Sequence, residues 1–166
     1  MSFLQVFEFV PWAYLPLFYL AAVAWPLART DFREHRLPNR LVLPAFAVSL
    51  VSHAFAVISG APSEQMLWAW LTGFAVFVVS LAANVWAGLG MGDVKLMSAI
   101  AVALGWWGSG VVVLALTAGF ALAVAVTGLR VLAKRQGGGR QALKQAIPLG
   151  PYLLGGFAAA SFGLML

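Results

Sequence analysis

The chain has 166 residues, of which 63% are hydrophobic and only 9% charged, whereas a soluble globular domain carries roughly a quarter charged residues. So few charges cannot clothe a water-exposed surface, so most of the surface faces lipid, and the length suits one integral-membrane domain over residues 1–166, with about five to seven spans at ~20 residues each. The net charge is +5 and there is no cysteine, which excludes disulfides, cysteine nucleophiles and thiolate metal sites.

From the N-terminus, residues 1–8 contain no Lys or Arg and carry only Glu8, which does not read as a cleavable signal peptide. Six apolar segments follow, near residues 10–27, 41–59, 66–87, 94–107, 110–129 and 147–166. Helices are the form they take, because in hydrocarbon each backbone amide must be satisfied within its own segment. Arg29, Arg33, Arg36 and Arg40 separate the first and second segments, and Lys95 follows the third connection. Arg130, Lys134, Arg135, Arg140 and Lys144 separate the fifth and sixth, which completes the ten basic residues. The N-terminus, the 60–65 loop and the Gly108-Ser109 turn have none. The positive-inside rule therefore predicts an all-α polytopic protein of the cell membrane with six transmembrane helices, three basic cytoplasmic loops and both termini outside. The split positives are explained by topology and contact with anionic lipids, and nucleic acid is not expected as a partner.

Most polar and small residues within the segments fit packing. Thr72, Ser80 and Asn84 are read as bonding across helices, and His53 as an interhelical hydrogen-bonding residue. Ala115 and Gly119 mark a small-residue packing face, and Trp68, Trp106 and Trp107 fit interface anchors. His35 reads as a loop residue, and Gly137–Gly139 resembles a flexible hinge but is read as part of the last basic loop. The fourth segment is short: its 14 residues reach ~21 Å, against a hydrocarbon core of about 30 Å.

The acidic residues are more informative. Glu8 and Glu64 fall on the outer side, and Glu34 sits among arginines. That leaves the two aspartates of the chain, Asp31 and Asp93, placed by topology at helix ends on the same cytoplasmic face. Taken singly, Asp93 fits an N-cap and Asp31 a juxtamembrane charge balancing arginines. As a pair at one depth near the hydrocarbon boundary, they are candidates for chemistry. Gly88, Gly90 and Gly92 lead into Asp93, and such a run lets a backbone or a substrate approach closely.

Three stretches resemble one family. Asp31-Phe32-Arg33-Glu34-His35-Arg36-Leu37-Pro38-Asn39 resembles the first catalytic motif of the type IV prepilin peptidases. Gly90-Met91-Gly92-Asp93-Val94-Lys95 is similar to their Gly-x-Gly-Asp-hydrophobic-Lys motif. Ile147-Pro148-Leu149-Gly150-Pro151-Tyr152 resembles the entry into their last helix. The likeness runs from about residue 15 to the C-terminus. It implies an aspartic endopeptidase that removes the short basic leader of prepilin-like proteins, substrates with a hydrophobic helix, at the cytoplasmic membrane face. Asp31 and Asp93 are then the catalytic pair, with Pro38, Asn39, Gly90, Gly92 and Lys95 as supporting motif positions, and neither metal nor cofactor is implied. Long members of the family carry a cysteine-containing cytoplasmic region and also N-methylate the mature pilin. This chain resembles the short members associated with Tad/Flp-type pili or archaeal preflagellin peptidases, and no methyltransferase activity is expected.

Close carboxylates cannot both ionise cheaply, so one of the pair holds a proton near neutral pH. Which aspartate does so is open at the level of sequence. The rival readings are a small transporter or channel subunit and a non-catalytic secretion-system scaffold. A proton path needs ionisable groups nearer the midplane, and a scaffold needs neither aspartate. A presenilin-like protease shares Gly-x-Gly-Asp but places its first aspartate within a transmembrane helix.

Overall fold

The computed structural model describes residues 3–34, 36–135 and 148–164. His35, Ile147, Gly137–Gly139 and the charges Arg140 and Lys144 lie outside the described residues. Six helices follow one another: α1 (Phe3–Glu34), α2 (Asn39–Ile58), α3 (Ser63–Ala87), α4 (Met91–Gly105), α5 (Ser109–Arg135) and α6 (Gly150–Gly163). Among the described residues there is no strand. Short turns reverse the chain, with left-handed glycines where an L side chain is strained: Gly60 at φ 107°, Gly88 at φ 71° and Gly108 at φ 119°.

Helix ends depart from the apolar segments in a consistent way. α1 runs to Glu34, seven residues past the expected end at 27, and α5 runs to Arg135 rather than 129. Hydropathy marks where lipid contact stops, and backbone hydrogen bonding carries the helix on into polar surroundings. α4 is displaced the other way: it begins at Met91, and Trp106 and Trp107 fall outside it.

α4 is the centre of the bundle. It touches each of the other five helices, and Val94 and Leu96 through Gly105 are all buried. Its small residues permit this, since Gly105 lies so close to α3 that an added Cβ would stand 2.9 Å from the Ala69 Cα. Around it, α1 packs on α2, α3 on α4 and α5 on α6. Tyr19 of α1 donates to the Leu41 carbonyl of α2 at 2.9 Å, and Ser52 of α2 donates to the Trp12 carbonyl of α1. The outer surface is apolar, with Trp25, Phe74, Val79 and Trp86 exposed.

Among the described residues three helices are long and apolar enough to cross a membrane, Asn39–Ile58, Ser63–Ala87 and Ser109–Arg130, and the architecture is that of a multi-pass membrane protein. α4 and α6, at 15 and 14 residues, fall short of the ~20 needed for a full crossing.

Several side chains pack otherwise than expected. Ser80 donates to the Val76 and Phe77 carbonyls of its own helix, and Asn84 donates to the Leu89 carbonyl in the turn after α3. A hydroxyl in a helix reaches its own preceding turn more readily than a neighbouring helix. His53 does make an interhelical contact, but as a ring against Trp106 with centroids 4.7 Å apart. Neither of its nitrogens has a hydrogen-bond partner among the described residues. Trp106 is buried, not an interface anchor, whereas Trp68 is exposed.

The Ala115 and Gly119 face seats α6. A Cβ on Gly156 would collide with the Ala115 carbonyl and stand 2.5 Å from the Gly119 nitrogen. Gly156→Val should therefore destabilise the α5–α6 pair by about 1–3 kcal/mol or more, read as a lowered melting temperature in detergent. An unchanged melt would show that the two backbones are not in close contact.

Candidate active site

Asp31 sits in the last turn of α1 and is buried, only 5% exposed. It is not a solvated counter-charge. Its Oδ2 accepts the backbone N–H of Gly150, the first residue of α6, at 3.0 Å. A helix N-terminus presents amides that lack intrahelical acceptors and favours negative charge, so the carboxylate suits the place.

Asp93 is the third residue of α4, and the helix is capped by Gly90 with no side-chain cap hydrogen bond. The aspartate therefore serves no N-cap. Its Oδ1 is buried with no partner among the described residues, and its Oδ2 lies against Gly90, where an added Cβ would be 2.8 Å away. Asp93 precedes the apolar segment 94–107. Its pKa is pushed up from 3.8 to about 6, first by burial and then by the charge of Asp31.

The two carboxyls line one cleft of about 340 Å³, together with Asn39, Lys95, Arg36, Leu37 and the 90–92 turn. Asn39 and Lys95 are joined: Lys95 Nζ donates to Asn39 Oδ1 at 3.0 Å, which ties the start of α2 to the start of α4. Pro38 does not line the cleft. It is the N-cap of α2, with φ −70° and ψ 122°, and its carbonyl accepts the Leu41 and Val42 amides. Proline holds an extended backbone that turns the chain from α1 into α2. Asn84, through the Leu89 carbonyl, steadies the turn that leads into Gly90.

The sequence reading missed Leu37, Arg36 and Gly150. Leu37 is wedged between two glycines. A Cβ on Gly92 would stand 2.9 Å from Leu37 Cβ, and one on Gly150 would stand 3.2 Å from Leu37 Cδ2. The Leu-Pro-Asn of the first stretch thus meets both the glycine run before Asp93 and the glycine that opens α6. The signal was present in the hydrophobic position before Pro38 and in the glycine between Leu149 and Pro151. What was absent was any sign that these two meet.

A sequence profile of the Type IV leader peptidase family matches residues 15–129. The chain belongs to that family. Two proteins described as Prepilin leader peptidase/N-methyltransferase, from Burkholderia pseudomallei strains 1026b and K96243, are each 29% identical over 159 residues. Each alignment covers 90% of this chain and 47% of the relative, so the chain spans about half the length of the curated relatives it matches. No solved structure gives a significant match. Within the family profile fall Asp31, Asp93, Asn39 and Lys95, while Gly150 lies beyond its end at residue 129.

The raised pKa of Asp93 carries a stability consequence. The folded state binds the Asp93 proton more tightly than the unfolded chain does, so the cost of this group is absent below about pH 3.8, grows as pH rises and is complete above about pH 6. Asp93→Asn should therefore stabilise the fold at pH 7.5 by on the order of 1–2 kcal/mol, allowing for partial exposure. The gain should shrink towards pH 4. A pH-independent difference between the two melting curves would show that Asp93 titrates normally.

Proposed function

We propose that this family member is a membrane aspartic endopeptidase that cuts the leader from type IV prepilin-like proteins of the Tad/Flp type at the cytoplasmic face, without N-methylation. The observation that carries the reading is the meeting of Asp31 and Asp93, the two aspartates of the chain, in one cleft. The cleft lies at the end of the bundle where Arg29, Arg33, Arg36, Arg40, Lys95 and Arg130 gather, the end that the positive-inside rule assigns to the cytoplasm of the cell membrane. In this topology all six helices are embedded and both termini lie outside. On this reading Asp93, just ahead of the short apolar segment 94–107, lies at the membrane boundary, where the cut site at the edge of a substrate's own membrane helix can reach it.

In the proposed reaction Asp31 is the base and Asp93 the acid. The amide of Gly150 and the start of α6 stabilise negative charge on Asp31, and burial keeps a proton on Asp93 into the weakly acidic range. Asp31 takes a proton from water as the water attacks the scissile carbonyl, and Asp93 gives its proton to the carbonyl oxygen. Collapse of the tetrahedral intermediate passes a proton to the leaving amine. The pair titrates as a unit, so a pH profile reports the pair and not either residue alone. The Asn39–Lys95 bond ties the start of α2 to the start of α4, which carries Asp93. The relatives' names describe both leader peptidase and N-methyltransferase activities; only the first is proposed here.

Co-expression with a prepilin-like substrate, scored by gel shift, tests the reading. The wild type should remove the leader, and Asp31→Asn and Asp93→Asn should each lower cleavage by ~10³-fold or more, as expected when one member of an acid–base unit is lost. Undiminished cleavage in either variant would refute paired-carboxylate catalysis. Methylated product in the wild-type reaction would refute the unmethylated assignment.

A further inference from the structure

The stretch that opens α6 contributes no side chain to the two-carboxylate chemistry, yet its backbone reaches the site. The accounting of amides at this helix start is specific. Pro151 has no N–H, and the amides of Tyr152 and Leu153 both bond to the Leu149 carbonyl, each at 3.1 Å. Of the first four residues of α6, only Gly150 has its amide directed elsewhere, and it goes to Asp31 Oδ2 at 3.0 Å across 119 residues of sequence. Glycine also favours the close approach. A Cβ at residue 150 would stand 2.9 Å from Asp31 Oδ2, 3.3 Å from Asp31 Cγ and 3.2 Å from Leu37 Cδ2, so the Asp31 carboxylate and the tip of Leu37 would have to shift to admit it.

We propose that Gly150 is a positioning residue for Asp31, which makes the start of α6 a wall of the active site and not packing alone. The amide holds one carboxylate oxygen and so limits the carboxylate to one rotamer. The missing Cβ lets α1, the Leu37 wedge and α6 converge. Pro151 supports the arrangement, because its fixed φ starts the helix without adding a competing donor. Among the described residues, the charged groups that share the cleft with Asp31 are Asp93 and Lys95 of α4 and Arg36 of the α1–α2 connection. The described residues of α6 carry no charge, so its effect on Asp31 comes from the backbone. The catalytic consequence rests on the peptidase reading; the hydrogen bond does not.

Proton–nitrogen spectra of [15N]glycine-labelled protein in micelles test the bond without any turnover. The Gly150 amide proton should move downfield as Asp31 ionises, and this pH dependence should vanish in Asp31→Asn. A Gly150 shift that is constant from about pH 4 to 8, or that titrates equally in Asp31→Asn, would overturn the assignment. In the cleavage assay Gly150→Ala should lower kcat by ~10-fold or more with KM little changed, and should raise the acid limb of the pH profile by about one unit as the Gly150 amide is drawn away from the ionised carboxylate. A folded Gly150→Ala protein with wild-type kcat and pH profile would overturn the positioning role. If the wild type cleaves nothing while the amide still titrates with Asp31, the peptidase reading fails and the bond stands.

Discussion

Two carboxyl groups in a partly dry cleft repel each other and are each costly to charge, and this constraint organises the site. Asp31 is compensated by a backbone donor at the start of a helix. Asp93 has no such partner on Oδ1, is held where burial raises its pKa, and feels the charge of Asp31. Repulsion between close carboxyls already separates their two titrations, and the unequal settings decide which of them keeps the proton.

The rest of the fold serves to bring those two settings together. Asp31 arrives on the last turn of a long helix and Asp93 on the first turn of a short one. Apart from Lys95, α4 is buried from Val94 onward and touches each of the other five helices, so its N-terminus is fixed relative to α1, α2 and α6 at once. The convergence needs small residues. Gly92 and Gly150 admit Leu37 between them, and Lys95 and Asn39, joined by a hydrogen bond, also line the cleft. Stability is spent here: a buried acceptor without a donor and a raised carboxyl pKa both favour the unfolded chain, and the apolar packing of α4 offsets them.

The aspartate pair was legible in the sequence because a chain with 9% charged residues places ionisable groups sparingly, and the distribution of Lys and Arg put both aspartates at one end. Helix number and type were legible for the physical reason that lipid permits little else. The small-residue face of Ala115 and Gly119 was also correctly read, since close approach demands small side chains. What was not legible was partner choice. Ser80 could bond its own helix or another, His53 could donate or stack, and Trp106 could face headgroups or the core; packing decides each of these. The Gly150–Asp31 bond joins residues 119 apart and uses a backbone donor, which leaves no chemical mark on residue 150 beyond its being glycine.

The central claim is that the two aspartates titrate as a coupled and unequal pair. Because the chain has two aspartates, [4-13C]aspartate labelling yields two carboxyl resonances whose pH dependence can be followed in micelles. One resonance should titrate near 6, and in Asp31→Asn the remaining one should fall below that while staying above the ordinary 3.8. Two resonances that both titrate near the ordinary value, each unmoved by replacement of the other aspartate, would contradict the account.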